Sequence, residues 1–261
     1  VNGPTKSFAM FSTNNWTPHA ISAPANVLIL SDLHIPFADR TAVRAVFGWA
    51  RKRKISHIIL NGDIADFYAV SRWETDPEKR NFAEEISAIR TFLAGLRHTF
   101  PKAKIVYKLG NHEERYERFL RQKAPELLGC DVFSLGNVLR LERLGIQTVS
   151  DKRPIRLGRL LTVIHGHEYS FQISNPVNPA RGYFLRSKSH VLGAHFHQTS
   201  QHSERTIDQK VIAAWSTGCL CDLHPEYRPL NNWNHGFAFV EVTKSGGFQV
   251  HNFTIIDGKI L

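Results

Sequence analysis

Residues 27–34 read Val27-Leu28-Ile29-Leu30-Ser31-Asp32-Leu33-His34, four aliphatic residues running into polar ones, with Ile35-Pro36-Phe37 after them. An unbroken aliphatic run reads as a strand buried on both faces, and the polar residues fall where that strand leaves the core. Side chains alternate along an extended chain, so Asp32 and His34 are expected on one side with Leu33 opposite, able to grip one metal ion together. Asp-x-His alone is a weak signal. It gains weight because an apolar strand running into polar ligands recurs four more times.

The second instance is His57-Ile58-Ile59-Leu60 leading into Asn61-Gly62-Asp63-Ile64-Ala65-Asp66. Residues 104–109 deliver Gly110-Asn111-His112-Glu113, residues 160–164 deliver His165-Gly166-His167, and residues 190–192 deliver Gly193-Ala194-His195-Phe196-His197. Between the strands lie helical patterns. Val43, Val46, Phe47 and Ala50 recur at helical spacing over 42–53, which ends in the basic run Arg51-Lys52-Arg53-Lys54, read as a solvated helix terminus. A longer helix carries Phe82, Ile86, Ile89, Leu93 and Leu96 on one stripe, with Glu84, Glu85 and Arg90 outside it. Over 114–123, Arg115, Arg118 and Arg121 recur every third residue, reading as a salt-laced exposed face or a nucleic-acid contact. The tail, 211–214, 237–242 and 248–253 with a Gly246-Gly247 turn, reads as further strands and a closing hairpin. Strands interleaved with helices predict a layered α/β architecture.

A chain of 261 residues can bury a core without disulfides. We expect a single domain over 26–261 behind an N-terminal arm, 1–25, that packs by Phe8, Phe11 and Trp16. Rim or cap insertions are expected at about 67–81 and 168–188. No apolar run nears bilayer length and no basic-then-apolar leader opens the chain, so the expectation is a cytoplasmic protein with no membrane partner. Three cysteines are an odd, sparse set that fits a reducing compartment, and Cys219-Leu220-Cys221 reads as two ordinary thiols. The formal net charge of +10 favours polyanionic partners, DNA or RNA above all, or simply a basic surround for an anionic site.

The strand ends together offer Asp32, His34, Asp63, Asn111, His165, His195 and His197. Carboxylates, imidazoles and one amide oxygen suit divalent ions of intermediate hardness, manganese, iron, zinc or nickel, better than calcium. Seven donors are too many for one ion. Two ions sharing a carboxylate would use them all, with Asp63, central in the order, as the natural bridge.

Asp-x-His, Gly-Asp, Gly-Asn-His-Glu, His-Gly and Gly-x-His-x-His occur in the order and strand-end context of the calcineurin-like metallophosphoesterases, which the chain resembles over residues 27–197. The resemblance implies a four-layer α-β-β-α sandwich of two mixed sheets with flanking helices, and a binuclear centre, manganese favoured, at the sheets' C-terminal edge. It implies Asp32, His34, Asp63 and His197 on the first metal, and Asp63, Asn111, His165 and His195 on the second. A metal-activated hydroxide would attack phosphorus in line, with His112 assisting the leaving oxygen and Asp66 orienting His112 as in the protein-phosphatase branch; Asp66 capping its own loop is the other reading. Glu113 is expected to brace its turn, and His167 to hydrogen-bond locally.

One departure matters: the protein phosphatases follow Gly-Asp with a phosphate-binding arginine where this chain has Phe67. Arg72 and Arg181 are the candidate substitutes for binding substrate, and Trp73, Tyr183 and Phe184 either stack a base or pack. The favoured expectation is a metal-dependent phosphodiesterase, a nuclease or nucleotide esterase. A phosphomonoesterase acting on nucleotides or phosphoproteins would share its site, and a non-catalytic scaffold is the distant alternative. Cap segments decide substrate in this fold; here they are 67–81, 168–188 and 222–236.

Overall fold

The computed structural model describes residues 16–73, 75–150, 152–169 and 177–261. Of the expected aromatic arm, Phe8 and Phe11 lie outside the described residues, as do Glu74 and Pro176 in the two expected insertions.

One sheet has seven strands in the order β13 (Lys259–Ile260), β12 (Phe248–Ile256), β11 (His235–Val242), β2 (Ala25–Leu30), β3 (His57–Asn61), β4 (Lys104–Lys108) and β5 (Ile146–Val149). The strands from β2 to β5 are mutually parallel; β11 pairs antiparallel with β2, β12 with β11 and β13 with β12. The other sheet has six strands in the order β1 (His19–Ile21), β6 (Ile155–Leu157), β7 (Leu161–Val163), β8 (Val191–Gly193), β10 (Val211–Ser216) and β9 (Ser200–Arg205). Within it β7, β8 and β10 run parallel. The stretch expected to be only an arm therefore contributes a sheet strand, β1, paired with β6.

The aliphatic run 27–30 is continuous because β2 is covered on both sides. Val27 and Ile29 face the second sheet, packing with Ile59, Val106, Leu161, Leu192 and Trp215. Leu28 and Leu30 face the helices, packing with Val46, Ile89 and Leu93. Each such side chain, fully buried, stabilises the fold by about 1.5–3 kcal/mol. Helices α1 (Arg40–Ala50) and α2 (Phe82–Thr99) cover the first sheet, and α5 (Pro179–Ser187) covers the second through Ala180, Tyr183 and Phe184. The layers run helix, sheet, sheet, helix, as expected. Asp39 caps α1 by accepting from the Ala42 amide at 2.7 Å, and Asn81 caps α2 by accepting from the Glu84 amide at 3.1 Å. Shorter helices α3 (Glu113–Lys123) and α4 (Leu135–Val138) follow β4.

Two helix readings are corrected by the structure. Glu85, placed outside the apolar stripe, is buried, because its carboxylate accepts the amides of Tyr68 (3.1 Å) and Ala69 (3.4 Å) in the rim loop. Arg115, placed on an exposed face, turns inward to Asp66, as described below.

Candidate active site

Parallel strands β2, β3 and β4 of one sheet and β7 and β8 of the other end at a common edge, and their following loops carry all seven expected donors. Carboxyl ends of parallel strands are where α/β sheets place ligands. Strand alternation does not aim these residues. β2 ends at Leu30, and Asp32 (φ 52°) and His34 (φ 47°) are left-handed, as are Asp63 (φ 52°), His195 (φ 70°) and His197 (φ 59°). A left-handed non-glycine residue costs on the order of 1–3 kcal/mol, persists only where surroundings over-determine it, and clusters at functional sites. Here the loops after β2 and β3 continue to bond to each other, with Asp32 N donating to Gly62 O (3.1 Å) and His34 N to Asp63 O (3.0 Å). Gly62, at φ +83°, passes so close to the His165 ring that a Cβ would overlap it.

Side chains converge on the buried Asp63 carboxylate. Its Oδ2 lies 3.3 Å from His165 Nε2, 3.8 Å from His112 Nε2 and 3.9 Å from His34 Nε2. Asp32 Oδ1 stands 3.2 Å from His197 Nε2 but accepts no well-formed hydrogen bond. His34 Nε2 and His197 Nε2 face each other at 3.3 Å, and Asn111 Oδ1 is 3.3 Å from His165 Nε2.

The opposite ring nitrogens are anchored. His165 Nδ1 donates to the Asn61 carbonyl (2.7 Å) and His34 Nδ1 to Asp66 Oδ2 (2.9 Å). His197 Nδ1 faces Cys221 Sγ at 3.9 Å, so this cysteine, read as an ordinary thiol, lies beneath the site. A carbonyl can only accept, so Nδ1 of His165 carries a proton and Nε2 is the nitrogen turned to the site; a metal-ligating histidine is held in this way.

His112 and Asp66 come together. His112 Nδ1 donates to the Asp66 carbonyl (3.0 Å) and lies 3.3 Å from Asp66 Oδ2. Arg115 Nη1 donates to Asp66 Oδ1 and to its carbonyl, each at 3.1 Å, and Arg115 Nη2 donates to His112 Nε2 at 2.8 Å. Sequence reasoning missed Arg115, although a residue three beyond His112 on a helix shares its face.

Burial alone would raise the Asp63 carboxyl, but the imidazoles of His165, His112 and His34 outweigh it and hold it well below the carboxylate range. Burial would lower His165, and Asp63 and Asp32 reverse that, raising it to about 10. Burial and the neighbouring His165 push His195 down to about 3. Against burial, Asp63 and Asp66 raise His112.

Glu113 braces the turn, as expected: its carboxylate accepts the amides of Asp63, Ile64, Ala65 and Gly110 and the Tyr107 hydroxyl. His167, expected to hydrogen-bond locally, reaches Glu114 on α3 instead, Nε2 to Oε1 at 3.2 Å, and does not line the cleft. A second brace was not read from the sequence. Fully buried Lys108 pairs with Glu168 (2.7 Å), whose other bonds are to the amides of His165 and Gly166. Burial alone would raise Glu168, but Lys108 together with His167 and His165 outweighs it and holds Glu168 down at about 2.

The open side is a cleft of about 160 Å³ lined by His34, Asp63, His112 and His195 and by Arg228 and Trp233 from the segment after β10. Arg72 and Arg181 do not line it; both are exposed, Arg72 lying 4.7 Å over the Trp73 ring and Arg181 on α5. Tyr183 and Phe184 are core residues.

A sequence model of the calcineurin-like phosphoesterases matches residues 25–227. The chain belongs to that family. Among curated relatives, the Gene 54 proteins of Mycobacterium phages L5 and D29 are 28% and 27% identical to it, each alignment covering 83% of this chain and 88% of the relative. Among solved structures, Vacuolar Protein Sorting 29 from Cryptosporidium parvum is 13% identical, covering 91% of this chain and 94% of that one, with a TM-score of 0.48. Vps29 from Entamoeba histolytica, a single mutant, is 12% identical, covering 90% and 96%, with a TM-score of 0.46. Likeness at that level carries no argument about activity. Calcineurin-like phosphoesterases are metal-dependent, and the groups Asp63, His165 and His195, and His34, His197 and Cys221, each bring donor atoms within 4.8 Å of one another, close enough to hold an ion. Among the described residues no helix is long and apolar enough to cross a membrane.

Proposed function

We propose that this phosphoesterase is a divalent-metal-dependent phosphodiesterase acting on a nucleic acid or nucleotide. The observation that carries the proposal is the convergence of donors on one buried point: apposed His34 and His197 nitrogens, an Asp32 oxygen without a hydrogen bond, and an Asp63 oxygen ringed by three imidazoles. Facing ring nitrogens repel unless a proton or cation lies between them, so the donor set fits metal. Asp32, His34, Asp63 and His197 would hold one ion, and Asp63, Asn111, His165 and His195 the other. The mixed oxygen and nitrogen set suits divalent ions of intermediate hardness, manganese among them with iron, zinc and nickel. Bound there, the ions supply Lewis-acid neutralisation of phosphate charge and lower the pKa of water at the site.

The chain's own residues do the rest. The Asp66 carbonyl accepts a hydrogen bond from His112 Nδ1 and fixes the ring, so Nε2 is the nitrogen turned to the departing oxygen. In the structure Nε2 accepts from Arg115; once Nε2 carries a proton it donates to the leaving oxygen instead, while Arg115 keeps its bonds to Asp66. The net charge of +10 supports a polyanionic substrate, because phosphate neutralisation supplies most sequence-independent affinity for nucleic acid. Three free cysteines, two of them buried, support a reducing, cytoplasmic setting.

The test is turnover of bis(p-nitrophenyl) phosphate beside p-nitrophenyl phosphate by the manganese-loaded protein. Diester cleavage should dominate, vanish in Asp63→Ala and fall about 10²- to 10⁴-fold in His112→Ala. Monoester dominance would make the protein a phosphomonoesterase, and no turnover with any of the four metals would make it a non-catalytic member.

A further inference from the structure

We propose that Tyr227, Arg228 and Trp233 form the substrate subsite of this cleft, and that it takes a phosphodiester bearing a nucleobase: Arg228 binds the phosphate and Tyr227 stacks on the base. The proposal deepens the phosphodiesterase reading and rests on it.

A phosphate entering the cleft needs a cation beyond the metal ligands, and the phosphatase arginine is replaced by Phe67, which is fully buried and stacked on Tyr116. Arg115 is committed to Asp66 and His112, and Arg72 and Arg181 stand outside. Among the described residues lining the cleft, Arg228 is the one guanidinium. It is half-buried, and among the described residues no hydrogen bond or ion pair engages its side chain. An unpaired guanidinium facing the pocket of His112 and Asp63 is placed for an anion and has the fork geometry that suits phosphate oxygens.

The aromatic pair beside it is graded from wall to rim. Trp233 packs on His197 with ring centroids 4.0 Å apart and forms the wall; Tyr227 meets Trp233 at 6.3 Å and is 70% exposed. An exposed ring next to a phosphate-binding cation is the arrangement that stacks bases without reading their identity. The segment is preorganised. Asn231 donates to the carbonyls of Leu223 (2.6 Å) and Arg228 (2.8 Å) and accepts the Trp233 amide (2.8 Å). Lys79 and Glu226, paired at 2.9 Å, tie it to the rim loop after Phe67.

The experiment compares two esters that release the same p-nitrophenolate, thymidine 5′-(p-nitrophenyl phosphate) and methyl p-nitrophenyl phosphate. It is run beside calorimetric binding of thymidine 3′,5′-bisphosphate. Arg228→Ala should lower kcat/KM on both esters by roughly 10- to 100-fold, with Arg228→Lys recovering part of the loss. Tyr227→Ala should reduce the ratio of thymidine to methyl ester turnover about tenfold and weaken bisphosphate binding comparably. A ratio and a binding constant unmoved by Tyr227→Ala, or moved instead by Trp73→Ala, would overturn the subsite. If wild type cleaves neither ester, the hydrolytic reading fails by itself, and the subsite stands or falls on bisphosphate binding to the same variants.

Discussion

Glu113→Gln isolates the brace beneath the loops that carry the candidate metal ligands. Glu113 is fully buried; Oε1 accepts from Ile64 N (2.9 Å), Ala65 N (3.1 Å) and the Tyr107 hydroxyl (2.8 Å), and Oε2 from Asp63 N (2.9 Å) and Gly110 N (2.8 Å). Glutamine keeps the volume and turns one acceptor into a donor. Oriented to do least harm, its amide nitrogen replaces Oε2 and faces two backbone N–H groups that then lack an acceptor. A buried donor left unpaired costs about 1–3 kcal/mol, so the substitution should lose roughly 2–6 kcal/mol. That is a large share of the roughly 5–15 kcal/mol that a domain has. Urea unfolding followed by tryptophan fluorescence should show the midpoint falling with an unchanged slope. Manganese affinity should weaken too, because two of the five donors belong to Asp63 and to Gly110 beside Asn111. A loss under about 0.5 kcal/mol, the range of ordinary surface substitutions, would refute the reasoning.

Arg115→Ala should lower kcat for the diester about 10- to 100-fold, as loss of a supporting partner typically does, while manganese affinity by competition with a fluorescent chelator changes less; an unaltered kcat would remove Arg115 from the His112–Asp66 unit. Burial, with repulsion from Asp66, raises Glu85 from 4.5 to about 7 against the opposing amide bonds of Ala69 and Tyr68. Because the folded pKa lies above the unfolded one, the contribution is full below pH 4.5 and is lost as pH rises through 7. Denaturation at pH 5 and pH 8 should therefore differ by on the order of 3 kcal/mol more in wild type than in Glu85→Gln. Manganese at about one hundred times its Kd should stabilise the protein by about 2.7 kcal/mol, seen as a raised Tm, and chelator should reverse it. Asp63→Ala should abolish that rise, and an equal rise in the variant would mean that the ions bind elsewhere.

The site was legible wherever chemistry is local in the chain. Asp32, His34, Asp63, Asn111, His165, His195 and His197 stand directly after apolar strands, and parallel strands bring their carboxyl ends to one edge, so strand grammar was enough to gather them. The reason offered for their orientation was wrong. Alternation assumes extended backbone, whereas five of these residues are left-handed, and Asp32, His34 and Asp63 among them sit in loops about 30 residues apart that bond to each other. Glu85 and Arg115 were misread for a related reason. Amphipathic patterning assigns charge to solvent, and it cannot foresee a buried loop amide or a buried carboxylate waiting for a partner.

Residue order and type by themselves determined the layered α/β class and the donor inventory, and hence the expectation of divalent metal, because hydrophobic period and ligand chemistry are properties of short stretches. Only the tertiary structure decided which ring nitrogen of each histidine faces the centre, that Arg115 joins His112, and that Arg228 rather than Arg72 or Arg181 reaches the cleft. These depend on contacts between segments far apart in the chain, and side-chain direction there follows from the packing of whole sheets against each other, which no local pattern encodes.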